Sequence, residues 1–398
     1  MPVSSQQFIP SLAIGTSAIL LLVYRGWCNI RTTRTTTATN KLSHKQTPPQ
    51  TNSSSFAFNP GDQTYQTTLT RLMLPDDANP AGNVHGGTIL KLMEMSAYIL
   101  ANRHGNISSS DALSTTPTTA VLASIASCTF LKPMHVGDIS HVRVKILSTY
   151  SSSMLISVHV YREDIRNGDS SLIKTNEAHL WYVRVSRTPK TGFNRHRTFQ
   201  PCPGVQRIAP MSNADIRMSQ QQRKHAVEQR AVTIRTDVYQ PMSDPTTVLI
   251  ARICLPSDGT STSLVFGGVL AKEMDSAAGI ATYKFCCTNC VTVSMNDFVL
   301  LSPCVVGDYI KVRVRIVFVS RKTVELEAIV TRPDSVDRSI ERVCARARFT
   351  FVSLDKNGRV KEMPTTWVPQ TKHEEQLCQE AKEKYLRKKN ERLKQQAR

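Results

Sequence analysis

The chain has 398 residues and a formal net charge of +19. At roughly 150 residues per domain, this length predicts two domains with additional tails. About half of the surplus charge falls in residues 1–61 and 369–398, and no helix-turn-helix, zinc-finger or aromatic RNA-binding signature is present. The composition therefore argues against a nucleic-acid partner and leaves a solvated basic surface or a site for a small polyanion.

The first distinctive segment, residues 8–24, is uncharged and largely apolar, and Arg25, Arg31 and Arg34 follow it. A secretory signal has its basic residues before the apolar run, so secretion is disfavoured. The acid-free region up to Gly61 suits a mitochondrial presequence, and about 17 apolar residues are the lower limit for a membrane-spanning helix. We predict a mitochondrial location, in the matrix or anchored to the outer membrane through residues 8–24, with the cytosol as the alternative.

The body of the chain is an internal duplication. Two segments recur 181 residues later. Arg71-Leu72-Met73-Leu74-Pro75 recurs as Arg252-Ile253-Cys254-Leu255-Pro256. Asn83-Val84-His85-Gly86-Gly87 recurs as Leu264-Val265-Phe266-Gly267-Gly268. Further on, Gly137-Asp138 recurs as Gly307-Asp308 at a spacing of 170, so the first copy has 11 extra residues, which we assign to the polar loop 106–119. A repeat architecture with two equivalent units follows.

Each copy has the same predicted order of elements. After the paired glycines, apolar residues at helical spacing predict one helix of four or five turns. Alternating β-branched residues then predict strands at 121–131, 141–148, 153–161 and 178–185, and at 291–301, 309–319, 323–331 and 345–353. One strand, one long helix and a run of antiparallel strands indicate an α+β unit in which a curved sheet wraps around a central helix.

The predicted divisions are a targeting or anchor segment at 1–61, repeat domains at 62–190 and 231–368, a linker at 191–230 and a charged C-terminal helix at 369–398. The composition of this last segment predicts a solvated helix. The cluster Cys286, Cys287 and Cys290 has metal-like spacing, but no second pair completes a structural zinc site, so we predict reduced thiols and no metal.

The glycine motif before the helix, the Gly-Asp turn before a Val-Arg-Val strand, and the segment Pro75-Asp76-Asp77-Ala78-Asn79 resemble the hotdog fold, and more narrowly the double-hotdog acyl-CoA thioesterases of the cytosolic and brain long-chain type. The resemblance covers about residues 62–368. It implies tandem hotdog domains, hydrolysis of medium- to long-chain acyl-CoA to fatty acid and CoA without a cofactor, and assembly as a trimer of double hotdogs.

Hydrolysis of a thioester requires a polarised carbonyl, a water that can be deprotonated and a slot for the acyl chain. Each copy offers a helix start with exposed N–H groups and an acid seven residues further on, Glu94 or Asp275. A carboxylate among Met, Ala and Ile neighbours is expected to have a raised pKa and to act as a base.

The resemblance implies that the loop before one helix faces the acid of the other. One site then pairs Asn83 with Asp275, and we predict it to be catalytic because the amide can hydrogen-bond water or carbonyl. Asp275 is expected to be the general base, with a nucleophile that forms an anhydride as the alternative. Gly267 and Gly268 are expected to form its oxyanion hole. The other site is predicted to be degenerate and contains Glu94, Leu264, Gly86 and Gly87. His85 corresponds to Phe266, so we predict a packing role for it.

Two other functions compete with hydrolysis. A non-catalytic acyl-CoA binder is the alternative because one site is degenerate. A hotdog hydratase is disfavoured because no histidine lies near Asp275 in sequence.

Overall fold

A computed structural model describes residues 65–107 except 81, 118–187 except 168, 199–203, parts of 205–228, and 248–396 except 335, 336, 356 and 364–366. The predicted targeting segment and residues 8–24 lie outside this part of the chain. Within it, no helix is both long enough and apolar enough to cross a membrane.

In the described part of the chain, a single sheet of eleven strands spans both repeats. Ten strands follow the order β1-β3-β4-β5-β2-β8-β11-β10-β9-β7, and the short β6 pairs with β5. In the first repeat the strands are β1 (Gln66–Leu72), β2 (Thr118–Phe130), β3 (Ile139–Thr149), β4 (Ser153–Asp164), β5 (Asp169–Arg187) and β6 (Phe199–Pro201). In the second they are β7 (Val248–Ile253), β8 (Cys290–Leu300), β9 (Tyr309–Val319), β10 (Thr323–Pro333) and β11 (Glu341–Ser353).

One long helix lies against the sheet in each repeat, α1 (Gly86–Ile107) and α2 (Gly267–Cys286). Their apolar faces, which include Met93 and Ala97 in α1 and Met274 and Ala277 in α2, belong to one core cluster shared with the strands. The two helices also contact each other. The core of the molecule is therefore continuous across the repeats.

The fold confirms the sequence prediction of tandem hotdog domains, each with a curved antiparallel sheet and a central helix. The predicted strands correspond to β2–β5 and β8–β11, with ends that differ by a few residues except in β5 and β11, which begin earlier. The repeats are joined by antiparallel pairing of β2 with β8, in which Ser124 lies opposite Val299 and Thr129 opposite Ser294. This pairing makes one sheet out of two.

The charged C-terminal segment forms a helix as predicted, α3 (Lys372–Gln396), but one side of this helix is not solvated. Leu377 and Ala381 are buried against Val317 of β9. The Nζ atom of Lys384 lies 2.9 Å from Oδ2 of Asp297 in β8. Apolar residues spaced by four therefore dock one side of this otherwise polar helix on the outer face of the second repeat.

Candidate active site

The loop that leads into α1 is fixed by a buried carboxylate. Asp77 accepts hydrogen bonds from the backbone N–H of Leu74 at 2.9 Å and from the guanidinium of Arg71 at 3.0 Å. The backbone N–H of His85 donates to the carbonyl of Asp77 at 2.7 Å. The recurring Arg and Leu-Pro-x-Asp residues thus hold the glycine motif against β1, which explains why they occur in both copies.

Asp275 of α2 lies against the glycine motif of the other repeat. Its Oδ2 accepts a hydrogen bond from the backbone N–H of Gly87 at 2.7 Å and lies 3.2 Å from Nδ1 of His85. Its Oδ1 accepts a hydrogen bond from the hydroxyl of Thr292 in β8 at 2.7 Å. Groups from both repeats therefore surround one carboxylate.

Burial sets the protonation of this carboxylate. Asp275 is 1% exposed, and loss of water raises its pKa above the ordinary value, while His85, the Thr292 hydroxyl and the Gly87 N–H lower it in part. A buried carboxylate with three polar neighbours can exchange a proton at a higher pH than a surface aspartate.

Gly86 lies close against this carboxylate. A Cβ atom at this position would lie 3.0 Å from Oδ2 of Asp275, 3.1 Å from Oγ1 of Thr292 and 3.2 Å from the ring of Phe130. Gly86 is the first residue of α1, where the N–H groups of a helix lack intrahelical acceptors. Asn83 lies two residues before His85 in the same loop, and its backbone bridges to His135.

The second acid, Glu94 of α1, faces the glycine motif of the second repeat. It is 2% exposed, and burial raises its pKa to about 7, while hydrogen bonds from the Tyr182 hydroxyl and the Gly268 backbone lower it in part. The Tyr182 hydroxyl lies 3.0 Å from Oε1. This carboxyl group is therefore held by a tyrosine rather than by a threonine and a histidine.

The pseudo-symmetry of the repeats allows the two sites to be compared position by position. A Cβ atom at Gly267 would meet Leu122 at 2.6 Å and Leu300 at 3.1 Å, where Gly86 meets Thr292 and Phe130. Leu122 is thus the counterpart of Thr292, at the spacing of 170 already seen in sequence.

The other polar groups of the Asp275 site are also absent from the Glu94 site. Leu264, the counterpart of Asn83, is buried, and Phe266, the counterpart of His85, packs edge-on against Tyr98 with ring centroids 5.1 Å apart. The Thr292 hydroxyl and the His85 imidazole, which contact Asp275, therefore have apolar counterparts in the other repeat, and Leu264 stands there in the place of Asn83.

The predicted assignment of the glycines is wrong. Gly267 and Gly268 lie beside Glu94, whereas Gly86 and Gly87 lie beside Asp275. The reason is helix geometry, because Asp275 follows Gly268 by seven residues, or about 10 Å along the axis at 1.5 Å per residue. Only the partner helix can bring a helix start to this acid.

The predicted packing role of His85 is also wrong, because its imidazole lies next to the Asp275 carboxylate. Thr292 was missed altogether. The sequence does contain a signal for Thr292, since aligning the two repeats at the spacing of 170 makes this hydroxyl residue the equivalent of Leu122.

The chain matches a family model described as thioesterase superfamily over residues 81–168 and 263–338. It is 35% identical over 338 residues to a cytosolic acyl coenzyme A thioester hydrolase from Mus musculus, a match that covers 82% of this chain and 84% of that protein. The chain therefore belongs to the thioesterase superfamily. The Homo sapiens protein of the same name is 35% identical over 335 residues, covering 81% of this chain and 83% of that protein.

Proposed function

We propose that this protein hydrolyses acyl-CoA thioesters to a carboxylic acid and free CoA at one site built from both repeats. The observation that carries the proposal is the buried Asp275 carboxylate, held by Gly87, His85 and Thr292 beside Gly86 at the start of α1. The names of the relatives support the substrate class. A preference for medium to long acyl chains is inferred from the family resemblance.

In the proposed reaction Asp275 is the general base. Its carboxylate takes a proton from water, and the resulting hydroxide attacks the thioester carbonyl carbon. The carbon–sulfur bond then breaks, and the proton returns from Asp275 to the CoA sulfur. Asn83 orients the water or the carbonyl. The oxyanion lies at the start of α1 beside Gly86, where the helix dipole favours negative charge, while the Gly87 N–H donates to Asp275.

The Glu94 site is proposed to be inactive. Its carboxyl has a pKa of about 7, so burial alone does not disqualify it as a base. What it lacks is the polar surroundings, because Leu122, Leu264 and Phe266 take the places of Thr292, Asn83 and His85. A water molecule there would have few hydrogen-bond partners to hold it.

The names of the relatives favour the cytosolic alternative, and they give no support to the predicted mitochondrial location. We therefore propose that the protein acts in the cytosol. A trimer of double hotdogs and membrane association through residues 8–24 remain proposals from the family resemblance and the sequence pattern.

Release of free thiol from medium- and long-chain acyl-CoA tests the function directly. We expect turnover by the wild type and a loss of about a hundredfold or more in Asn83→Ala, because an amide that positions a reacting group contributes on that scale. Leu264→Ala, the matched change in the second repeat, should stay within a few-fold of wild type. A wild type that binds acyl-CoA without releasing thiol would instead support the non-catalytic binder.

The pH profile tests the role of Thr292. Its hydrogen bond lowers the Asp275 pKa, so Thr292→Val should raise that pKa further. Because the base is active when deprotonated, the rate falls as pH falls through this pKa, and the acid limb of kcat/KM should move to higher pH. Ser294→Ala is the control, since its hydroxyl donates to Thr350 in β11. An unshifted profile in Thr292→Val would contradict Asp275 as the base.

A further inference from the structure

A cavity lies on the face of the first repeat's sheet that points away from α1. Along β5 the side chains alternate between the two faces. Trp181 belongs with Leu147 to an outer apolar cluster, whereas Leu180 belongs to the core that includes α1. The cavity lies between this outer cluster and the linker and has a volume of about 650 Å³. This volume falls within the range of about 300–1,000 Å³ that is typical of small-molecule sites.

The linker forms the opposite wall of the cavity and is attached to the sheet at several points. The guanidinium of Arg223 lies over the ring of Tyr150, 4.4 Å from its centroid. Val227 packs against the outer apolar cluster. The backbone N–H of Ile208 donates to the hydroxyl of Thr149 at 3.0 Å. Specific contacts on more than one side therefore hold the walls of the cavity in place.

The second repeat closes the equivalent surface with apolar side chains. Val317 is the counterpart of Leu147 at the spacing of 170, and Leu377 and Ala381 of α3 are buried against it. The linker presents three side chains at the same spacing of four residues: Ser219, Arg223 and Val227. A hydroxyl and a cation therefore stand in the first repeat on a helical face that is apolar at the contact in the second.

Two buried hydroxyls at the cavity lack partners. Ser148 of β3 and Ser219 of the linker both line the cavity, and neither Oγ atom has a hydrogen-bond partner in the described part of the chain. Ser219 is only 2% exposed. A buried hydroxyl without a partner costs free energy, and rotation about χ1 can turn a serine hydroxyl toward the cavity. A polar group bound there would supply the missing partner.

The remaining lining residues define the chemistry of a ligand. Leu147, Ile208 and Val227 are aliphatic, which suits an alkyl chain better than a flat aromatic base. The charged residues of the lining are Arg223, Lys224 and Glu228, so the wall carries one net positive charge. An apolar chain with a single negative charge is the complement of this surface.

We propose that this cavity binds an alkyl carboxylate, such as the anion of a medium-chain fatty acid, at a site separate from Asp275. The chain lies along the aliphatic side chains, and the carboxylate accepts hydrogen bonds from Ser219 and from the cations Arg223 and Lys224. The proposed hydrolase releases molecules of this class, but binding at this site does not depend on hydrolysis. The two proposals can therefore fail separately.

The test labels the full-length protein with a photoreactive alkyl-diazirine carboxylate and maps the labelled peptides by mass spectrometry. We expect label in peptides that contain residues 147–150 or 219–228, and displacement of this label by decanoate. Arg223→Gln should weaken the displacement by about tenfold, the scale of one hydrogen bond to a charged group. Val227→Trp should remove the label because the larger side chain fills the cavity. Lys382→Gln, a matched loss of charge on α3, should leave the labelling unchanged.

Decanol, which has the same chain without the charge, separates an anion site from an apolar patch. We expect it to displace the label about tenfold less well than decanoate, and equal displacement would overturn the proposal. Label confined to peptides of α1 and α2, or equal effects of Arg223→Gln and Lys382→Gln, would also overturn it. Absence of thiol release by the wild type would count against the proposed function alone, since the labelling requires no turnover.

Discussion

Asp275→Asn should abolish thioester hydrolysis, with kcat/KM reduced by about a thousandfold or more. General base catalysis by a positioned side chain contributes about a hundredfold to ten-thousandfold, and the amide cannot accept the proton from water. The substitution preserves the shape of the side chain and its contacts with Gly87 and Thr292, so folding should be little affected. The loss of activity is measured as thiol release at saturating and at limiting substrate. A thermal unfolding curve checks that the variant is folded.

The matched control is Glu94→Gln, which makes the same chemical change in the other repeat. We expect its hydrolysis rate to stay within about threefold of wild type, because the amide can still accept the hydrogen bond from Tyr182. Equal losses in the two variants would contradict a single working site. Full activity in Asp275→Asn would remove the carboxylate from the mechanism altogether.

Most of the correct predictions from the sequence follow from the internal repeat. Paired glycines followed by an acid at a constant spacing identified both helices, and alternation of β-branched residues located most of the strands. The sequence does not predict which strands pair with each other, because alternation shows which face of the sheet a residue occupies and not which strand lies beside it. The pairing of β2 with β8, on which the two-repeat site depends, is of this kind.

Two predictions about the candidate site differ from the structure for different reasons. Helix rise alone separates Asp275 from Gly268 by about 10 Å, so the sequence itself argues against Gly267 and Gly268 as neighbours of Asp275. The packing role predicted for His85 rests on its counterpart Phe266, but equivalent positions in a duplicated chain can diverge in function. Its proximity to Asp275 depends on how the two helices cross, which the sequence of either helix does not specify.

The contact between the two helices leads to the second large prediction, which concerns stability. A Cβ atom at Gly87 would lie 2.7 Å from Cα of Lys272, and one at Gly268 would lie 2.8 Å from Cα of Lys91. Both distances are to backbone atoms, which cannot rotate away as a side chain can. Gly87→Ala and Gly268→Ala should therefore each force α1 and α2 apart and lower the free energy of unfolding by about 3 kcal/mol, the upper end for an overpacked core.

The same helices contain matched controls. A Cβ atom at Gly105 in α1 or at Gly279 in α2 would meet its nearest neighbour at 3.9 Å and 3.8 Å, which is ordinary contact. Gly105→Ala and Gly279→Ala should be neutral or stabilising by up to about 1 kcal/mol, since alanine favours a helix more than glycine does. Denaturant unfolding of the four variants separates the two cases. Gly268→Ala is the most informative, because it lies in the site proposed to be inactive. A loss of stability there equal to that of Gly87→Ala would show that the helix contact requires a glycine in both repeats.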